Sequence, residues 1–366
     1  MGNFHYFMPT DCYFGRGCVA EYKTAMAKLG KKAMVVTGKT SAKKNGAQKD
    51  ITDALDSLGI AWILFDEIEE NPSVETVERA AKLAIAEKVE FFIGIGGGSP
   101  MDSSKAIATM AAHPEQGTDA LWNAENKALP VVAVPTTAGT GSEVTQFAIV
   151  TLHAKRTKSS IAAHIFATVA FLDPKYMDTL PAGTTNNTAV DALTHLVESY
   201  LSAKATAVSR EIARQGLLLF KECMPALRER VYPSQIRDKL MLMSALGGVA
   251  IAQTMTSLPH GMGYYLTYEK GLPHGMANGV LTQAYLELFP VGDENVAKVL
   301  EYLGLASTAE LGTFLDTVLE HRTSYTEADV KDYTERFMQQ PAKLATFPYP
   351  LQKEDIYTMY QKSLLK

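Results

Sequence analysis

A chain of 366 residues is too long for one typical core and points to two domains. Its 46% hydrophobic and 20% charged residues are ordinary for a globular enzyme, and a net charge of −5 argues against a nucleic-acid or anionic-membrane partner, since those need basic patches. Cys12, Cys18 and Cys223 carry no CxxC spacing, no apolar stretch reaches membrane-spanning length, and the opening Met1-Gly2-Asn3-Phe4-His5-Tyr6 lacks the regions of a signal peptide. A reducing cytoplasm is therefore the expected location.

In chain order, the segment from Phe4 to Phe14 is unusually aromatic for a terminus and reads as a strand at or near a homodimer interface. Residues 32–37 form a β-rich run ending at Gly38, and residues 61–65 form another, followed by the acidic stretch from Asp66 to Pro72. Residues 73–87 have a helical pattern and lead into a third strand at 89–95. A fourth strand is expected at 129–134 and a fifth at 169–172. Buried runs separated by helices predict βαβ units and a parallel sheet covered on both faces. From Thr184 onward the chain reads as helices broken by Pro and Gly, including 207–227 and 234–256. The expected class is thus α/β followed by all-α: a Rossmann-like dinucleotide-binding domain over residues 1–180 and a helical metal-binding domain over residues 181–366.

The third strand runs into Gly96-Gly97-Gly98-Ser99-Pro100-Met101-Asp102. Consecutive glycines let the backbone approach a ligand, Ser99 can cap a helix, and Pro100 suits its first turn. The N–H groups and dipole of that helix form an anion site, although neither GxGxxG nor a P-loop is present. The fourth strand ends at Pro135-Thr136-Thr137-Ala138-Gly139-Thr140-Gly141-Ser142-Glu143, a second hydroxyl-rich loop that includes Thr140 and Ser142. Both loops fall at strand ends, where open α/β sheets bind ligands. Together they suit a long ligand carrying a pyrophosphate, best a nicotinamide dinucleotide.

Four residues of the helical half can hold a metal. Asp191 and His195 are one turn apart on a helix whose apolar positions recur at helical spacing, so they share a face. His260 and His274 sit in matching Leu-Pro-His-Gly-Met segments, which read as helix beginnings that aim two imidazoles at one place. One carboxylate and three imidazoles complete a protein ligand set for a divalent transition metal. His5, His113, His153, His164 and His321 have no such company and are read as ordinary polar residues.

These pieces, in this order and spacing, closely resemble the iron-dependent (group III) alcohol dehydrogenase family, and butanol- or 1,3-propanediol-type members in particular. The resemblance runs from about Met8 to the C-terminus. It implies a dehydroquinate synthase-like fold and one catalytic metal, typically Fe²⁺ with Zn²⁺ as the other candidate, on Asp191, His195, His260 and His274. It also implies that Asn71, the loop Gly96 to Ser99, Asp102, Thr136, Thr137 and Lys158 line a cofactor site.

Two departures matter. Many members carry a second His four residues after the third ligand; here that place is Tyr264, whose unperturbed pKa near ~10 makes it a poor base at neutral pH. Where NAD-preferring members often have an Asp after the first strand, this chain has Gly38, followed by Lys39, Thr40, Ser41 and Lys43 as phosphate donors, so NADP(H) is favoured over NAD(H). The implied activity is hydride transfer between a primary alcohol or aldehyde and the nicotinamide, with the substrate oxygen on Fe²⁺ in an interdomain cleft. A zinc-dependent glycerol dehydrogenase or a dehydroquinate synthase-like lyase is the alternative on the same fold. Resembling glycerol dehydrogenases tend to lack a His at position 195, and the lyase would need a strongly basic pocket that the helical half does not offer.

Overall fold

The computed structural model describes residues 3–365, apart from the Lys155 side chain; Met1, Gly2 and Lys366 lie outside the described residues. Two compact units result, residues 8–180 and residues 181–365 with 3–7.

The first unit is built on a six-stranded parallel sheet. Its strands are β1 (Asp11–Phe14), β2 (Lys32–Thr37), β3 (Ala61–Phe65), β4 (Phe91–Gly96), β5 (Val131–Pro135) and β8 (Val169–Leu172). Alternate side chains of the central strands enter different cores. Met34, Val36, Phe92 and Ala133 pack on one face, whereas Ala33, Val35, Phe91, Ile93, Ile95, Val132 and Val134 pack on the other. Burial on both faces is why these strands read as continuous apolar runs rather than as alternating ones. The strand order is β1-β8-β5-β4-β2-β3. Counted from β2, the wound strands follow the order 2-1-3-4-5, whose reversal lies between β2 and β4, the place where such sheets bind ligands.

Three local differences from the sequence reading have physical causes. β1 is a strand, but its partner is β8 of the same chain, in the register Asp11↔Val169 to Phe14↔Leu172. Residues 3–7 are not strand; they group with the helical unit, where the Gln253 amide brackets Phe7, accepting from its N–H at 3.2 Å and donating to its carbonyl at 2.9 Å. An antiparallel hairpin, β6 (Ile149–Leu152) and β7 (Thr157–Ser160), was also not apparent, because Thr157-Lys158-Ser159-Ser160 is polar and carries no strand pattern.

The second unit is helical. Its central helix, Ala182–Leu201, packs against Ala207–Glu229, Ser234–Thr254 and His274–Leu286. Leu193, Leu196 and Val197 on it are fully buried, each contributing about 1.5–3 kcal/mol of hydrophobic stabilisation. Among the described residues no single helix is long and apolar enough to cross a membrane.

Candidate active site

In the sheet unit, β2, β4 and β5 lie side by side and end at Thr37, Gly96 and Pro135. Gly38, the 96–99 turn and the loop after β5 therefore occupy one sheet edge. The helix Gly98–Ala112 is capped by Gly97, so Ser99 and Pro100 fall inside its first turn and Ser99 is not the cap. Ser99 Oγ instead accepts from the Asn71 N–H at 3.2 Å. The two loops meet through their glycines: a Cβ at Gly98 would come within 2.8 Å of Thr140 Cγ2, and one at Gly97 within 3.3 Å of Thr137 Oγ1. Thr136 joins them as its N–H donates to the Gly96 carbonyl at 2.8 Å.

Asn71 links these loops to the hairpin. It holds the left-handed conformation, φ +57°, rare outside glycine and frequent at functional positions. Its Oδ1 accepts from Lys158 Nζ at 2.8 Å and its carbonyl from Thr151 Oγ1 at 2.7 Å. Asn71, Ser99 and Lys158, far apart in sequence, are thereby brought together.

Beneath them lies a buried ionic cluster. Asp102 accepts from Ser142 Oγ and from the Ile149 N–H. Lys105, one turn on, is fully buried and donates to the carbonyls of Ser142, Thr145 and Phe147 at 2.7, 2.9 and 2.8 Å. Burial raises the Asp102 carboxyl pKa against the pull of Lys105, pushes the Glu143 carboxyl up to about 7, and brings the Lys105 ammonium down to about 8. Lys105 went unnoticed in the sequence; the only signal was its spacing of three from Asp102, which places both on one helix face. Thr40 and Ser41 are exposed at the end of β2, and Lys43, expected to offer a phosphate donor, has its ammonium 2.7 Å from Asp66.

In the helical unit the four metal candidates converge. Asp191 and His195 project from one face of Ala182–Leu201. His260 lies in the first turn of Leu258–Lys270, after Pro259, and His274 is the first residue of His274–Leu286, after Pro273. Ligand atoms of Asp191, His195 and His260 lie within 4.8 Å of one another. His260 Nε2 is 3.4 Å and His274 Nε2 3.8 Å from the same oxygen, Asp191 Oδ1. The His195 and His260 rings stack at 4.4 Å, and His274 stands edge-on to His260 at 5.3 Å. Tyr264 stacks on His274 at 5.6 Å.

Electrostatics at this cluster favour an ion. Burial alone would raise the Asp191 carboxyl, but the imidazoles of His274, His195 and His260 hold it well below the usual carboxylate range. Burial opposes a charge on His260, yet Glu198 and Asp191 push it up to about 9. His260 Nε2 is buried and has no hydrogen-bond partner, which is costly for a polar atom unless something else binds it. A buried carboxylate and three imidazoles, one of them carrying that nitrogen, fit a divalent transition metal.

The two Pro-His-Gly-Met segments do not play equal parts. A Cβ on Gly261 would meet the Phe337 ring at 2.6 Å, while one on Gly275 would lie 1.8 Å from the Asn187 carbonyl oxygen, on the helix that carries Asp191.

Comparison with known proteins agrees. Residues 9–174 match the family described as iron-containing alcohol dehydrogenase, and residues 185–364 its C-terminal domain. The lactaldehyde reductase of Escherichia coli is 32% identical over 276 residues, covering 74% of this chain and 71% of that protein. The NADPH-dependent butanol dehydrogenase of Clostridium saccharobutylicum is 30% identical over 307 residues, covering 82% and 78%. An iron-containing alcohol dehydrogenase from Thermotoga maritima superposes over 100% of both chains with a TM-score of 0.93 at 35% identity. The chain belongs to the iron-containing alcohol dehydrogenase family of oxidoreductases.

Proposed function

We propose that the protein moves a hydride between a primary alcohol or its aldehyde and a nicotinamide cofactor, with NADP(H) preferred. The observation that carries this reading is the meeting of Asp191, His195 and His260 ligand atoms within 4.8 Å, beside His274. Those four residues would hold Fe²⁺. Such an ion, when bound, supplies Lewis acidity toward an alcohol or carbonyl oxygen. The chain's own groups supply placement. Asn71, held with Ser99 and Lys158, offers an amide beside an ammonium for a ribose or carboxamide. The Gly96–Ser99 turn and the start of Gly98–Ala112 present backbone N–H groups to a pyrophosphate. Asp102, Thr136, Thr137, Thr140 and Ser142 line the same edge.

NADP(H) is supported by Gly38, which puts no carboxylate where a 2′-phosphate would sit, with Lys39, Thr40 and Ser41 beside it. The C. saccharobutylicum relative is NADPH-dependent by name. A cytoplasmic homodimer without nucleic-acid or membrane partners completes the reading; β1 lies at the edge of its sheet with Phe14 exposed, as a pairing surface would. Light scattering checks the dimer, and a mass of 39.8 kDa at micromolar concentration would refute it.

The decisive assay is reduction of NADP⁺ and NAD⁺ by a panel of primary alcohols after stripping with EDTA and reloading. Fe²⁺ should restore more activity than Zn²⁺, and NADP⁺ should give the higher kcat/KM. Activity indifferent to EDTA would overturn the metal, and a preference for glycerol with Zn²⁺ would favour the alternative.

A further inference from the structure

We propose that Glu198 and Asn278 are positioning residues for the metal: Glu198 fixes which nitrogen of His260 carries a proton, and Asn278 holds the Asp191 carboxylate from the helix of His274. The inference rests on the reading that these four residues hold a divalent ion.

Asp191, His195 and Glu198 stand at i, i+4 and i+7 on one helix face. A glutamate on a leucine-rich helix is ordinarily solvated, but Glu198 is fully buried. Both of its oxygens are taken by one short segment: Oε1 lies 2.6 Å from His260 Nδ1, and Oε2 accepts from the Ser257 N–H. A carboxylate only accepts, so the proton in the first contact belongs to Nδ1. A neutral His260 then keeps its lone pair on Nε2, the buried nitrogen that makes no hydrogen bond and stands 3.4 Å from Asp191 Oδ1. Such an outer partner sets the tautomer and aim of a metal-binding imidazole. The carboxylate is specifically required, because two donors converge on it. A glutamine has one acceptor oxygen and would turn an N–H₂ toward one of them.

Asn278 performs a matching task across two helices. It follows His274 by one turn and is fully buried. Its Nδ2 lies 3.0 Å from Asp191 Oδ1 and 3.2 Å from His274 Nε2. An imidazole nitrogen that binds an ion has no lone pair left for an N–H, so the Asn278 bond that serves the loaded site is the one to Asp191, made from the helix of His274.

The test uses full-length protein stripped of metal and titrated with Zn²⁺ against a chromophoric chelator. Glu198→Gln and Asn278→Leu, both near-isosteric, should each weaken Zn²⁺ binding about 10–100-fold. Nicotinamide binding should stay within about twofold of wild type, since cofactor and metal residues lie in different units. Nitrogen NMR on zinc-loaded, ¹⁵N-histidine protein should place the His260 proton on Nδ1 in wild type, with its solvent exchange faster in Glu198→Gln. If His260→Ala loses Zn²⁺ while both variants bind it within about twofold of wild type, the positioning roles are refuted and the metal site stands. If His260→Ala binds Zn²⁺ as wild type does, the metal site itself is refuted and this inference falls with it. Should Glu198→Gln not fold, the wild-type spectrum decides for Glu198, because a proton on Nε2 would overturn its role.

Discussion

The sheet unit buries Lys105 with Asp102 and Glu143; the helical unit buries Asp191 and Glu198 with the imidazoles of His195 and His260, beside a half-buried His274. The first cluster contains its own cationic side chain, whose ammonium also gathers three loop carbonyls. Its cation and carboxyls come from the protein itself, and Lys105 ties the carbonyls of Ser142, Thr145 and Phe147 together. The second brings ligand atoms of a carboxylate and two imidazoles within 4.8 Å of one another, around a buried His260 Nε2 that makes no hydrogen bond. The contrast teaches that burial of charge alone does not mark a metal site. What marks a candidate site is a carboxylate and imidazoles converging on one point, with an outer group such as Glu198 bonded to one of them.

Removing a ligand should have the largest effect, and only on one side of the comparison. His260→Ala or His274→Ala should lower kcat/KM by ~10³-fold or more, the loss of several kcal/mol of charge stabilisation. Cofactor binding, followed by nicotinamide fluorescence, should be unchanged. A variant at either position with near-normal activity and metal content would dissolve the distinction between the two clusters.

The mirror experiment is Lys105→Met. It strands two buried carboxyls and three carbonyls, so stability should fall by about 3–5 kcal/mol, read from chemical denaturation. Metal affinity should not change. Equal damage to metal binding would show that the first cluster is not self-contained.

These two experiments also divide what was legible beforehand from what was not. Histidines are rare enough that His260 and His274 in matching segments announce themselves, and Asp191 with His195 needs only helical spacing. Strands β4, β5 and β8 and the middle of β2 were readable because burial on both faces makes them apolar runs, and the edge strand β3 by its apolar Trp62-Ile63-Leu64-Phe65. Lys105, Glu198 and Asn278 were hidden because Lys, Glu and Asn in helices are normally solvent-facing. Only packing reveals that Glu198 and Lys105 are fully enclosed. The partner of β1 was likewise beyond reach, since an edge strand pairs with whatever the topology puts beside it.

A smaller effect sharpens the sheet-unit cluster through pH. Glu143, raised from 4.5 to about 7 by burial, keeps its proton in the folded protein while the unfolded chain releases it. Stability from this group is therefore fully present below pH 4.5 and is lost as pH rises through about 7, the reverse of an ion-paired carboxylate. Glu143→Gln should flatten that fall and add on the order of 1–3 kcal/mol above neutral pH. An unchanged pH profile of the melting temperature would show that Glu143 does not titrate in this window.

The smallest effect lies at the ligand edge. Gly38→Asp should shift preference toward NAD about 5- to 150-fold, or ~1–3 kcal/mol, measured as the ratio of kcat/KM values. The added Cβ would stand 3.2 Å from the Ile68 carbonyl oxygen, so the backbone must give by a few tenths of an ångström. No shift would mean that the cofactor is read elsewhere.

The two Pro-His-Gly-Met segments have a consequence for how the protein tolerates change. At Gly261 a methyl group meets a phenylalanine ring, which a neighbouring substitution can make room for. At Gly275 it meets the main chain of Asn187, which no exchange of side chains can retract. Under drift, or in a randomised library selected for activity, variation should enter the first segment and leave the second almost untouched. Both segments place a histidine in the first turn of a helix, but recombining one into the other would not yield interchangeable parts.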